Sequence, residues 1–432
     1  MHRKFIFTLI ALGIVLSTRS FGATDNMLRV GLTRFFSCAS LTVSSSSGAI
    51  IITGRDKTVT AKSVTIQISD STVSAKPDGS DSVISATSIN LASDRPDGLL
   101  VLSSPASKEM KYRGSIEVDV NNGKMTVVDI VDVENYLLGV IPAEIGESNP
   151  TEALRTQAIT ARTYALSNKR KHMSQGFDVC DSTHCQTYNG AGSEKSKCSQ
   201  AVIDTKGMVL TYNGKIAEVM YSTDCGGATV NYFETHPNTN FPYLCGAVDP
   251  DDIPRITWGQ TYTLQELGAK LVAAGVKEAD SLQSITISKT GSTGRPLEAQ
   301  ITGTSGCTTV KVGKIRAALG LKSTMFSIET DASGKVVING KGAGHGVGLC
   351  QRGTIGLASA PYNYTYAQIL AHYFPGTAIS GGAPVEMAAD VVQADERIVK
   401  VPTPIANKPK KATKSEEQPV IFDVRLAPPD SL

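Results

Sequence analysis

Beyond its first two dozen residues, this chain of 432 residues has no apolar run approaching the ~20 residues that a membrane-spanning helix needs. Neither sign of charge dominates: 42 Lys and Arg stand against 40 Asp and Glu, so nothing recommends a nucleic acid as partner. No internal period is visible, which excludes a solenoid or a propeller. From Leu28 to Tyr112 there is no histidine and no clustered acid, so candidate chemistry lies further along the chain.

What is present begins with Arg3 and Lys4, an apolar run from Phe5 to Leu16, and the small residues around Ser20-Phe21-Gly22. That order is expected of a cleaved signal peptide over residues 1–22, and hence of a protein exported to the periplasm or cell envelope. Loss of Arg3, Lys4 and Arg19 with the signal leaves 39 basic against 40 acidic residues, close to neutral. Eight cysteines in an exported chain are free to pair, although spacing alone gives no connectivity. The length suits two domains with a spare segment. From residue 382 to residue 432 Pro, Lys, Glu and Ala predominate, which predicts a disordered tail.

Residues 28–111 are rich in Val, Ile, Ser and Thr with period-two alternation, as in Lys62-Ser63-Val64-Thr65-Ile66-Gln67-Ile68, and are expected to form a small β-rich domain of their own. A mixed domain is expected over residues 112–381. It opens with a hairpin through Asn121-Asn122-Gly123 and a short helix from Asp132 to Gly139. A longer helix follows, with Asn149 as cap, Pro150 in first position and Glu152 bonding back. Leu154, Ala158, Ala161 and Ala165 make its stripe of small residues, flanked by Arg155 and Arg162 on one side and Gln157 and Tyr164 on the other, a pattern that suggests a cleft edge. Further on, Thr263-Leu264-Gln265-Glu266 is a capping box, residues 284–302 read as a hairpin, and residues 311–319 as a helix. Strands and helices mixed without strict alternation point to an α+β fold.

The runs VENYLLGVIPAEIG and TEALRTQAITARTYAL, followed in order by DVCDSTHCQTYNG, YSTDCGGAT, GKGAGHGVGLCQRG and ILAHYF, closely resemble the stage II sporulation protein D (SpoIID) family. The resemblance implies an exported lytic transglycosylase that cuts peptidoglycan glycan strands between N-acetylmuramic acid and N-acetylglucosamine, preferring strands free of peptide. It puts the catalytic acid at Glu144, where Ile145-Gly146 replaces the Met-Pro usual in the family. A single carboxyl group suffices for such a reaction, because the sugar's own C6 hydroxyl is the nucleophile where a hydrolase needs a second carboxylate. Protonation near neutral pH requires a raised pKa, which the neighbours Val140, Ile141, Ala143 and Ile145 favour by desolvation. Without the family match, Glu144 reads as an ordinary surface glutamate; Glu147 does so with it. The rival reading of the whole protein is a glycan-binding enhancer of a partner N-acetylmuramoyl-L-alanine amidase, without catalysis of its own.

The same resemblance makes Arg155, Arg162, Tyr164, Gln186, Tyr188, Ser222 and Thr223 candidate substrate contacts, against bland readings as ion-pairing or core side chains. Some relatives hold zinc in the loop that carries Cys180, His184 and Cys185, and with His172 this chain offers two thiolates and two imidazoles, a tetrahedral zinc set by ligand type. Two readings stand for this loop: a structural zinc that takes no part in cleavage, or a Cys180 to Cys185 disulfide. Cys225 with Cys245 is a further candidate pair, and His345 and Gln351 are the polar candidates in the glycine-rich run.

Overall fold

The computed structural model describes residues 26–382 apart from 37, 106 and 240. The expected signal peptide and residues 383–432 of the expected tail lie outside the described residues. Helices and strands are mixed in an α+β arrangement, as expected.

Two sheets form the base of the molecule. The larger has seven strands in the spatial order Val179–Cys180, Met27–Gly31, Lys124–Asp132, Ser115–Asn121, Ser88–Ser93, Ile50–Thr53 and Thr58–Ala61. The other has six strands drawn from residues 40–112. Alternation does what the sequence requires of it: Ile50, Ile52, Ile89, Leu91, Ile116 and Val118 of the first sheet and Leu41, Val43, Val64 and Ile66 of the second all turn into one core.

The expected break between residues 111 and 112 is not a break in this sheet. Ser115–Asn121 pairs with Ser88–Ser93 on one side and with Lys124–Asp132 on the other, and Met27–Gly31 pairs along Lys124–Asp132. Each half alone would leave an open sheet edge, so the β-rich segment and the motif-bearing segment share one hydrogen-bonded ladder. The unit that does stand apart has its own core, built around Leu267, Leu271, Ile285, Ala299, Ile301, Ile315 and Ile338. It spans the strands from Thr257–Tyr262 to Val336–Lys341 and includes the expected helix Leu264–Ala273, opened by the Thr263 and Glu266 capping box.

Against the sheets lie three helices, α1 (Val133–Glu144), α2 (Thr151–Ser167) and α3 (Ser196–Asp204). Asp132 caps α1 by accepting from the Glu134 amide at 2.9 Å. The helix continues past Gly139, where the sequence predicted its end, and carries Pro142 inside its last turn. Gly146, with φ of +76°, ends it in the left-handed conformation, and the Asn149 side chain donates to the Ile145 carbonyl. Asn149 therefore closes α1 and does not cap α2, whose first turn has no side-chain cap. α2 is buried on nearly every side, from Ala153 to Ala165, so it is a central helix and not a cleft edge.

Behind α1, the Tyr188 hydroxyl donates at 2.9 Å to Asp129, an acid with no exposed surface whose carboxyl is pushed well above the usual range by burial. Tyr188→Phe leaves that carboxyl without its donor and is expected to cost about 2 kcal/mol of stability. Urea denaturation of the two proteins measures it, and an unchanged midpoint would contradict the assignment.

Candidate active site

α1 delivers Glu144 at its C-terminal end, half-buried. Its Oε1 accepts from the Thr187 backbone amide at 2.5 Å. Burial raises the pKa of this carboxyl; the bond from the Thr187 amide and the nearby polar groups of Gln351 and Tyr221 oppose the rise without cancelling it. These groups are all neutral, and Glu147, three residues on, is exposed. The site is thus one protonatable carboxyl among neutral donors.

A chain of polar groups lies beside Glu144. The Tyr136 hydroxyl donates to Gln186 Oε1 at 3.3 Å, and Gln186 Nε2 donates to the Tyr221 hydroxyl oxygen at 3.0 Å and to the Ala161 carbonyl at 3.3 Å. Tyr221 accepts from Gln186, so its own proton is free for Glu144. Tyr221 comes from the two-residue strand Tyr221–Ser222, which runs parallel to Leu349–Cys350, and Gln351 follows directly at the start of a helix. The two conspicuous motifs around these residues therefore meet beside the acid. Tyr221 was missed in the sequence, although it is the first residue of YSTDCGGAT, because a tyrosine carries no signal of which way its hydroxyl points.

The candidate contacts divide sharply. Thr223 is exposed beside the site. Ser222 is buried and its Oγ accepts from the Gly346 amide at 3.2 Å. Gln186 and Tyr188 are buried and act as supports, not sugar contacts. Tyr164 is 8% exposed and packs its ring edge-on to Tyr221 at 6.2 Å, again from beneath. Arg155 pairs with Glu152 and Asp204, both at 2.6 Å.

Arg162 is the clearest correction. It is 1% exposed, forks onto Glu134 at 2.9 and 2.7 Å, and donates to the Met208 and Val202 carbonyls at 3.1 and 3.3 Å. No face of it remains for a sugar. Of the glycine-run candidates, His345 donates from Nε2 to the Tyr221 carbonyl at 2.9 Å and accepts from the Val347 amide at 3.1 Å, so it braces the tyrosine that serves Glu144.

Cys180 ends the edge strand of the large sheet and Cys185 closes the turn after it, two residues before Thr187. His172 Nε2 lies 3.3 Å from Cys185 Sγ, and His184 Nδ1 lies 3.7 and 3.6 Å from Cys180 and Cys185 Sγ. All four donor atoms fall within 4.8 Å of one another. Tetrahedral zinc, with bonds of about 2.3 Å to sulfur and 2.0 Å to nitrogen, needs donor separations of roughly 3.5 Å, so this set fits the ion. Both cysteines are free thiols. The suggested pair of Cys225 and Cys245 is not formed: Cys245 is exposed, while Cys225 is buried against Asp249, 3.1 Å away, and close to Cys350.

Among known proteins, residues 121–212 match the family model described as stage II sporulation protein, and residues 238–348 match a domain of unknown function. The chain is 30% identical to the Stage II sporulation protein D of Bacillus subtilis, over 67% of this chain and 87% of that one. It is 33% identical to an uncharacterized protein of Brachyspira hyodysenteriae, over 62% of this chain and 72% of that one. Identity to the Amidase enhancer of Bacillus subtilis is 32%, over 56% of this chain, which spans only 40% of that longer protein. The matched domain of unknown function takes in the unit with its own core, and the first match takes in α1, α2 and the cysteine loop.

The Arg162 geometry makes a stability prediction. Glu134→Gln leaves a buried guanidinium without its counter-charge and is expected to lower unfolding free energy by about 3 kcal/mol, read as a fall in urea midpoint. A loss confined to sugar binding, with stability intact, would return Arg162 to the substrate.

Proposed function

The chain belongs to the stage II sporulation protein D family, and on that premise we propose that it is an exported lytic transglycosylase of peptidoglycan glycan, acting in the periplasm or cell envelope. The observation that carries the reading is a half-buried carboxyl, held toward its protonated form by desolvation and bonded by the neutral Thr187 amide.

Protonated Glu144 donates its proton to the glycosidic oxygen between N-acetylmuramic acid and N-acetylglucosamine as the bond from that oxygen to C1 breaks. The carboxylate then accepts the proton of the muramic C6 hydroxyl while O6 bonds to C1, giving a 1,6-anhydro end and a regenerated acid. No second carboxylate is required, in contrast to hydrolysis by paired acids. The Thr187 amide, already bonded to Glu144, stabilises it during the moment it is charged, and the nearby Tyr221 hydroxyl and Gln351 carboxamide favour the same charged form. Thr223 is the exposed side chain available to a passing strand.

Zinc held by His172, Cys180, His184 and Cys185 would have a structural part. With His172, Cys180, His184 and Cys185 as ligands no open position would be left, and the ion would supply rigidity to the loop that aims Thr187. Metal analysis is expected to find about one zinc per chain, lost together with thermal stability in Cys185→Ser; a parent protein without zinc would end this part of the proposal.

Incubation with peptide-free strands and mass analysis of the ends is the direct test. Glu144→Gln is expected to remove anhydromuramic ends, with a rate loss of about 10²- to 10⁴-fold. Strands left intact by the parent protein would favour the second reading, suggested by the name of the Amidase enhancer: a glycan-binding partner of an N-acetylmuramoyl-L-alanine amidase.

The pH profile follows from the raised pKa. The acid form acts first, so the rate falls as pH rises through the Glu144 pKa. Tyr221→Phe removes a donor that favours the charged form, so the alkaline limb should move to higher pH while the maximal rate drops. A limb that stays in place would separate Tyr221 from the acid.

A further inference from the structure

A cavity of about 770 Å³, within the range of small-ligand sites, opens where the unit with its own core meets the core that holds Glu144. Four cationic residues, Arg295, Lys311, Lys314 and Arg316, line it against a single acid, Glu278. None of the four is in an ion pair among the described residues: Arg316 donates to the Leu321 carbonyl and Lys314 to the Gly275 carbonyl, each at 3.2 Å. Asp224, a buried acid whose charge acts on Arg295, is already shared by Arg255 at 3.7 Å and Arg352 at 3.9 Å.

Arg295 is the deepest of these groups, at 2% exposed. Its guanidinium donates to the Ala228 carbonyl at 2.7 Å, to the Cys225 carbonyl and to Thr324 Oγ1 at 3.1 Å, and its Nε has no partner. Burial lowers its pKa to about 10, which leaves it charged at neutral pH. The glycine-rich run makes room for it, since a Cβ on Gly346 would stand 2.7 Å from Arg295 Nη2. A buried cation carried without a counter-charge is costly unless an anion arrives to meet it.

The helix Val312–Leu319 adds to the same field. Val312 and Gly313 of its first turn line the cavity, and its cap residue Lys311 makes no side-chain bond to the first amides. His345 forms another part of the wall and bonds through the Tyr221 carbonyl to the residue that serves Glu144. The cavity therefore backs onto the catalytic strand. Its remaining lining, including Val276, Leu297 and Thr309, suits a sugar bearing methyl and hydroxyl groups.

We propose that this cavity is a second ligand site, taking a carboxylate-bearing sugar of the glycan strand. The inference rests on the glycan reading above. A muramic residue carries a free lactyl carboxylate once its peptide has been removed, whereas the peptide-bearing residue has a neutral amide at the same atom. The cations at the cavity then read the charge at that one atom.

The test is calorimetric titration of the full chain carrying Glu144→Gln, which keeps the ligand intact. The probes are a muramic disaccharide as free acid, its carboxamide, and lactate and inorganic phosphate as sugar-free anions. The acid is expected to bind at least 10-fold more tightly than the carboxamide and to weaken as salt is raised. Adding Lys311→Gln and Arg316→Gln should abolish that preference while the melting temperature stays unchanged. Equal binding of acid and carboxamide, or a preference that survives both substitutions, overturns the proposal. Phosphate or lactate binding as tightly as the disaccharide also overturns it, because the sugar would then add nothing. If the parent protein cuts no strand yet the charge preference depends on Lys311 and Arg316, the lytic reading fails and the carboxylate site stands.

Discussion

The pair between the buried Arg162 and Glu134 is the contact on which the placement of Glu144 depends. It joins α1 to α2 by a two-bond fork, and the same guanidinium reaches the Met208 and Val202 carbonyls, so one side chain ties together α1, α2 and the segment at the end of α3. A buried guanidinium tolerates little displacement, because each lost bond leaves a charge facing apolar surroundings. α1 is consequently held at its start, by Glu134 and the Asp132 cap, and its far end carries Glu144 as a rigid extension of that clamp.

The acid is set by two further constraints. One is the cysteine and histidine turn, which brings the Thr187 amide to the carboxyl. The other is the short parallel pairing of Tyr221–Ser222 with Leu349–Cys350, which brings a hydroxyl and a carboxamide from residues 130 positions apart in the chain. Desolvation raises the pKa of the carboxyl and these neutral groups moderate the rise, so the site sets the protonated form against the charged one. The Ile145-Gly146 departure has a local explanation: the helix stops at a glycine in the left-handed region, and Asn149 satisfies a terminal carbonyl.

The unit inserted between the two parallel strands has its own core, yet the glycine-rich run returns from it directly into Leu349–Cys350, the strand paired with Tyr221–Ser222. Arg295 crosses that boundary to reach the Cys225 and Ala228 carbonyls. A charge on one unit is thus fixed by the backbone of the other, which is why the cavity between them is cationic and connected to Tyr221.

Much was legible without coordinates. Alternation identified the β-rich segment, the Asn-Asn-Gly turn located a hairpin, and Thr263 with Glu266 marked a helix start, because these depend on neighbours a few residues away. Ordered motifs singled out Glu144, and ligand chemistry singled out His172, Cys180, His184 and Cys185. Sequence did not reveal that the sheet crosses residue 112, since strand pairing across dozens of residues leaves no local mark. Nor did it distinguish side chains that touch a sugar from those that hold the residue that does. Arg162, Gln186 and Tyr188 have the chemistry of sugar-binding groups, but burial and their partners are properties of the assembled core. Identity and spacing determined which chemistry this chain carries; only tertiary packing decided which polar groups face solvent, because exposure is settled by elements that meet through space.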